Sequence, residues 1–196
     1  MATDDQPTDD LLMAAYAGGD ADAFGELFRR HAGGVERVIR RTVRDPGDVE
    51  DLVQQVFLQV HRARKDYRSE NKFRQWLFTI ALNARREYFR RRARRGIDVP
   101  LDEEHEPTTK IAGPEQVADA RRIRLAVAQL PDSQREVVEL HWFEDLALAD
   151  VAAIVGTSHG AAKVRAHRAY ARLREMLGEV TDPVGPPSTN SETDDE

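Results

Sequence analysis

The chain contains no cysteine. That excludes disulfides, thiolate catalysis and cysteine-ligated zinc, and it fits a reducing compartment. No apolar run approaches the roughly 20 residues a membrane span requires. The first ten residues, MATDDQPTDD, are acidic and lack the apolar stretch of a secretory signal. Metal-ligand spacings of His, Asp and Glu, a phosphate-binding glycine loop and a nucleophile elbow are all missing, and the six histidines are scattered. Catalytic residues, a resident metal, a cofactor and a small-molecule substrate are therefore not expected. Alternating strand patterns and internal repeats are also lacking, so the expected fold class is all-α.

What the chain has is charge, at 33% of its residues, distributed unevenly. The formal net charge of −6 conceals a basic block. Residues 11–95 hold 19 basic and 11 acidic side chains, whereas 121–180 hold 9 and 8. The acids that reverse the overall sign sit in 1–10, 96–120 and 181–196. Local charge, not the sum, decides whether a surface attracts phosphate.

Helical periodicity divides the chain into two small helical domains. In the first, Phe24, Leu27, Phe28, His31, Val35, Val38 and Ile39 recur at helical spacing. Asp45-Pro46-Gly47 breaks that helix, and Asp48 is expected to cap the next, whose apolar face is Val49, Leu52, Val53, Val56, Phe57 and Val60. A polar loop leads to a third helix after Asn71, with Phe73, Trp76, Leu77, Ile80, Ala81, Ala84 and Tyr88 on one face. It ends in seven arginines within Arg85–Arg95, opposed in sequence only by Glu87. Such a run repels itself unless a polyanion is near, so phosphate contact is expected. The expected boundaries are a disordered tail over 1–9, a first domain over 10–95, a flexible acidic linker over 96–114, a second domain over 115–179 and a disordered acidic tail over 180–196. In the second domain, Ser133 with Glu136 has the spacing of a capping box.

The sharpest local motif runs from about Leu148 to Leu177. LADVAAIV reads as a short apolar helix, and Gly156 suits a left-handed turn. Thr157-Ser158 offers an N-cap to the following helix, HGAAKVRAHRAYARLREML. This is a helix-turn-helix, the unit that lays its second helix in the major groove. From His159 to Arg174 that helix carries Lys163, Arg165, Arg168, Arg172 and Arg174 and no acid.

The two blocks together resemble a known family. DVEDLVQQVFLQV (48–60) and KFRQWLFTIALNARREYFRRR (72–92), preceded by GDADAF (19–24), look like region 2 of bacterial RNA polymerase sigma factors. LPDSQREVVELHWFEDLALADVAAIVGTSHGAAKVRAHRAYARLREML (130–177) resembles region 4. With only these two regions the chain is similar to the extracytoplasmic-function (ECF) group. The resemblance implies a DNA-binding, non-catalytic bacterial transcription subunit in the cytoplasm. Such a subunit binds core RNA polymerase, directs it to promoters through −10 and −35 elements and promotes DNA opening.

By position, the resemblance assigns −35 reading to Lys163, Val164, Arg165, His167, Arg168 and Arg172. It assigns the −10 strand to Tyr67, Arg68, Asn71, Lys72, Phe73, Asn83, Arg86 and Arg90, with the loop 65–71 capturing an extruded base. Asp48, Asp51, Gln54, Gln55 and Gln59 are expected to meet the clamp helices of the largest polymerase subunit. Region 4 is expected to meet the flap of the second-largest. An anti-sigma factor, often membrane-bound, is a further implied partner. Gln55 stands where a glutamate is frequent and His61 where a tryptophan is, which bears on the detail of core contact. The competing reading is a stand-alone helix-turn-helix regulator, for which the sequence offers no coiled-coil dimer seam.

Overall fold

The computed structural model describes residues 6–68, 72–96 and 114–178, the side chains of 114–118 excepted. Asn71, nearly all of the expected linker and the C-terminal tail lie outside the described residues. Among those described, every regular element is helical.

Four helices build the first domain: α1 (Asp9–Ala17), α2 (Ala21–Arg40), α3 (Pro46–Ala63) and α4 (Phe73–Arg94). Thr8 caps α1, so this helix begins inside the segment expected to be a tail. Gln6, Pro7 and Asp9 all bond the Arg30 guanidinium, and Asp9 also meets His31 Nε2 at 2.7 Å. Asp20 caps α2. The cap of α3 is Asp45, with Pro46 in the first turn where its missing N–H costs nothing. Asp48 is therefore not the cap; its carboxylate accepts from Tyr88 Oη at 2.6 Å instead. Helix α4 has no cap of its own, because Lys72 at that position has no acceptor in its side chain. Leu12, Met13, Leu27, Val35, Ile39, Val49, Val56, Phe57, Val60, Phe73 and Leu77 close into one core.

The second domain holds α5 (Pro114–Ala128), α6 (Asp132–Val138), α7 (Leu148–Val155) and α8 (His159–Leu177). Helix α6 runs into a π-helical turn, Glu139–Phe143. Ser133 and Glu136 do not form the expected capping box: Pro131 precedes α6 with no side-chain cap, and Glu136 is used elsewhere. The turn between α7 and α8 follows the sequence. Gly156 is left-handed at φ 74°, Thr157 N–H reaches Ala152 C=O at 2.8 Å, and Ser158 caps α8. Ala162, Ala166 and Ala169 are buried, so the small residues of α8 face inward.

The two domains share packing. Val38, Phe78 and Leu82 of the first are buried in one cluster with Val137, Leu140, Leu146, Val151, Ile154 and Ala166 of the second. Helix α4 is thus apolar on two sides, and fully burying a residue such as Phe78 is worth about 1.5–3 kcal/mol.

His31 gives the α1–α2 contact a pH dependence. Burial holds its imidazole below the ordinary value of 6.5, partly opposed by the Asp9 carboxylate. The unfolded chain then binds the proton more tightly, so this group's stability is intact above about pH 6.5 and is lost as pH falls through the lowered value. The midpoint of urea unfolding is expected to drop between pH 7 and 5, and His31→Gln to flatten that slope; an unchanged slope refutes the assignment.

Candidate nucleic-acid interface

The segment before α4 is held by a residue from the other end of the domain. Asp10 Oδ1 accepts from Phe73 N–H at 2.6 Å and from Tyr67 Oη–H at 3.0 Å. It caps α4 from α1 and pins the phenol in the same step. Burial, then the Asp10 carboxylate, push the Tyr67 phenol well above its ordinary value, so it remains a neutral donor. Tyr67 leans on Trp76 and Phe73, with ring centroids 5.2 and 6.4 Å apart. Phe73 is only 1% exposed. It is the ring on which Tyr67 rests, in the core where its place on the apolar stripe of α4 puts it, so its side chain has no open face to offer a base. Arg68 and Lys72 are exposed.

Along α4, Asn83 and Arg90 face solvent and Arg86 is half-buried. The arginine run is not left to repel itself, because six of its seven members have a carboxylate within reach. Arg90, Arg91 and Arg94 gather on Glu87, and Arg92 lies 3.6 Å from Asp48. These exposed pairs are worth about 0–1 kcal/mol each, so they yield readily to phosphate. Arg85 is different. It is 4% exposed and bonds Glu139 Oε2 at 2.7 Å and the Val38 carbonyl at 3.0 Å.

Between the domains, ion pairs surround the shared apolar cluster. Arg86 forks onto Glu136 with bonds of 3.1 and 2.7 Å. Arg37 forks onto Glu144 at 3.2 and 2.9 Å, Arg41 stands 3.6 Å from the same carboxylate, and Arg74 donates to the Glu144 carbonyl. Arg41 also lies over the Phe143 ring, 4.1 Å from its centroid. Lys72 Nζ reaches both oxygens of Asp150 at 3.0 and 3.1 Å. The sequence reading missed Arg37, Arg41, Arg74, Glu136, Glu139 and Glu144 as a set, because no local motif joins them and partners lie up to 107 residues apart.

On α8 the arrangement is reversed. Lys163, Val164, His167, Arg168 and Arg172 are exposed and Arg165 is half-buried, and no carboxylate among the described residues pairs with these cations. Asp51, Gln54, Gln55 and Gln59 line the exposed side of α3, whereas Asp48 is half-buried and engaged with α4. Leu58, 47% exposed, belongs to that α3 stripe and was missed. Its signal was register: 51, 54, 55, 58 and 59 follow helical spacing.

Comparison with known proteins gives the same division. The Sigma-70 region 2 family matches residues 27–95, and the Sigma-70, region 4 family matches 120–173. RNA polymerase sigma factor CarQ of Myxococcus xanthus is 39% identical, over 86% of this chain and 97% of that protein. ECF RNA polymerase sigma factor SigM of Mycobacterium tuberculosis is 34% identical, over 87% and 85%. Among solved structures, CnrH in complex with the cytosolic domain of CnrY superposes with a TM-score of 0.65 at 30% identity. The match covers 86% of this chain and 96% of that one.

Replacing Asp10 by Ala strips the acceptor from Phe73 N–H and Tyr67 Oη–H together. Hydrogen bonds to a charged group contribute about 1.5–3 kcal/mol, so urea unfolding is expected to register a loss of that order. Asp10→Asn, which retains one acceptor oxygen, is expected to recover part of it; equal losses in both would show that Asp10 acts only through its charge.

Proposed function

The chain belongs to the extracytoplasmic-function (ECF) RNA polymerase sigma factors, which bind core polymerase and direct it to promoters, and we propose that its two domains divide the promoter between them. Residues 10–95 bind core polymerase and hold the −10 element as it opens. Residues 115–179 read the −35 element as duplex. The protein performs no chemistry of its own; it supplies position, charge and a pocket for an unstacked base.

The observation that carries this reading is the contrast on α8. Its buried side is small and apolar, and its exposed side is a row of cations left without carboxylates among the described residues. That is the form of a helix that enters the major groove and touches bases and phosphates. Lys163, Val164, Arg165, His167, Arg168 and Arg172 are its reading set. In the first domain, Tyr67, Arg68, Asn71 and Lys72 belong in our reading to the segment that takes the extruded base, and Asn83, Arg86 and Arg90 continue the track along α4. Aromatic and cationic groups together suit an unpaired strand. Phe73 supports Tyr67 from beneath. Asp51, Gln54, Gln55, Leu58 and Gln59 meet the clamp helices, and the second domain meets the flap.

CnrH was solved bound to the cytosolic domain of CnrY. At 30% identity to CnrH, this chain has a comparable anti-sigma partner in our reading, one able to tether it beneath a membrane. No helix among the described residues is itself long and apolar enough to cross a membrane.

Run-off transcription with core polymerase tests the division of labour. On a promoter recovered by selection with the holoenzyme, Lys163→Ala with Arg168→Ala is expected to lower initiation about tenfold or more, since each lost contact of this kind costs about 1–3 kcal/mol. Core binding in a pull-down is expected to stay unchanged; if it falls in parallel, the separation of roles is wrong.

A further inference from the structure

Two neighbouring carboxylates on α1 are used differently. Asp9 is fully spent: Oδ1 accepts from Arg30 at 3.1 Å, and Oδ2 meets His31 Nε2 at 2.7 Å. Asp10 is half spent. Its Oδ1 accepts from both Phe73 N–H and Tyr67 Oη–H, while its Oδ2 has no hydrogen bond among the described residues. Asp10 is half-buried, and that second oxygen keeps contact with solvent. It shares its carbon with the oxygen that holds the phenol, so it stands at the hydroxyl end of the Tyr67 ring.

That place has a chemical meaning. An aromatic ring stacks on any base, because every base has a π-face, so stacking alone does not discriminate. Discrimination needs a polar group facing the edge of the stacked base. The Tyr67 hydroxyl is committed to Asp10. The polar atom presented beyond the end of the ring is therefore Asp10 Oδ2. A carboxylate accepts hydrogen bonds and offers none. It accepts from the amino group of cytosine or adenine, and it repels the carbonyl oxygens that guanine and thymine present there. Arg68 and Lys72, both exposed, stand next in sequence to Tyr67 and Phe73. Their charges offset the repulsion between the carboxylate and a strand's phosphates.

We propose that Asp10 is a specificity-determining residue: its second oxygen accepts a hydrogen bond from the exocyclic amino group of the base stacked on Tyr67, so the protein favours adenine or cytosine over guanine or thymine at one −10 position. The proposal rests on the reading that Tyr67 receives the unstacked base. Asp10 lies ahead of residues 27–95, which match the region 2 family. Helix α1 thereby takes part in reading the promoter, beyond supporting α4.

The test is run-off transcription by the holoenzyme, with each non-template base of the −10 element exchanged in turn for the other three. At one position the wild type is expected to use adenine or cytosine about fivefold or more better than guanine or thymine. Asp10→Asn is expected to reverse that ranking. Its amide has one acceptor oxygen, which Phe73 N–H and Tyr67 Oη–H claim, so the NH2 group replaces Oδ2 and donates where the carboxylate accepted. Lost stability alone lowers transcription with all four bases alike and leaves their ranking unchanged. If the asparagine variant fails to fold, the wild type decides, with the preferred base replaced by its analogue lacking the amino group (purine for adenine, pyrimidinone for cytosine). The analogue pairs less well, which by itself eases opening, so a loss of about fivefold or more reports the missing contact. An unchanged ranking in Asp10→Asn, an analogue used as well as its parent base, or no position that favours amino bases overturns the proposal. Tyr67→Ala separates the two readings: impaired opening in this variant leaves the −10 assignment of Tyr67 standing in those cases, whereas wild-type transcription removes that assignment and the proposal with it.

Discussion

Arg85 is a cation at the centre of the molecule with almost no access to water. Its side chain is 5% exposed, and Glu139 opposite is 1% exposed. Removing ions of this kind from water costs several kcal/mol apiece, and the pair recovers that only through close geometry and further bonds. Here the geometry is a 2.7 Å bond, with the Val38 carbonyl taking another donor at 3.0 Å. Its main effect is to fix where the domains meet. A purely apolar seam tolerates sliding, but a buried guanidinium does not, because any shift leaves a charge unpaired at a cost of about 3–5 kcal/mol. Glu136 and Glu144 then fall opposite Arg86 and Arg37.

The π-helical turn prepares the acidic side of this contact. Glu139 opens that turn and points into the seam, while Trp142 near its end is 45% exposed. A turn of this kind widens the helix and rotates the residues beyond it, and such turns recur where a helix serves a function. Leu146 N–H returns to the Leu140 carbonyl and His141 Nδ1 meets the Leu146 carbonyl at 2.7 Å, which closes the chain before α7. Glu144, in the segment so closed, is thereby brought beneath α2.

Much of this was legible in the sequence. Helices α2, α3 and α8 announced themselves by periodicity, and Gly156 and Ser158 marked the helix-turn-helix as they were expected to. The exposed cations of α8 were legible for the same reason: they are local, and one exposed helix side is a pattern in sequence. The seam was not. Helix α4 was read as having one apolar face, yet Phe78 and Leu82, off that stripe, are as buried as Leu77 and Ile80 on it. Those off-stripe residues were the available signal of a second packing surface. The caps failed where a side chain had a stronger partner at long range: Asp48 serves Tyr88, and Glu136 serves Arg86. Local rules assume local competition, and here distant cations won.

Helix α4 carries both ends of the seam. Lys72 stands just before its first turn and Arg85 lies thirteen residues on, about 20 Å along the axis at 1.5 Å per residue. The two ends differ in kind. Lys72 is 66% exposed and its pair with Asp150 is bathed in solvent, whereas Arg85 is enclosed. Ions and thermal motion therefore loosen the Lys72 end while the Arg85 end holds. The seam is thus held lightly at the segment before α4 and firmly at the buried arginine, so dissolved salt reaches one end of the contact and is shut out from the other.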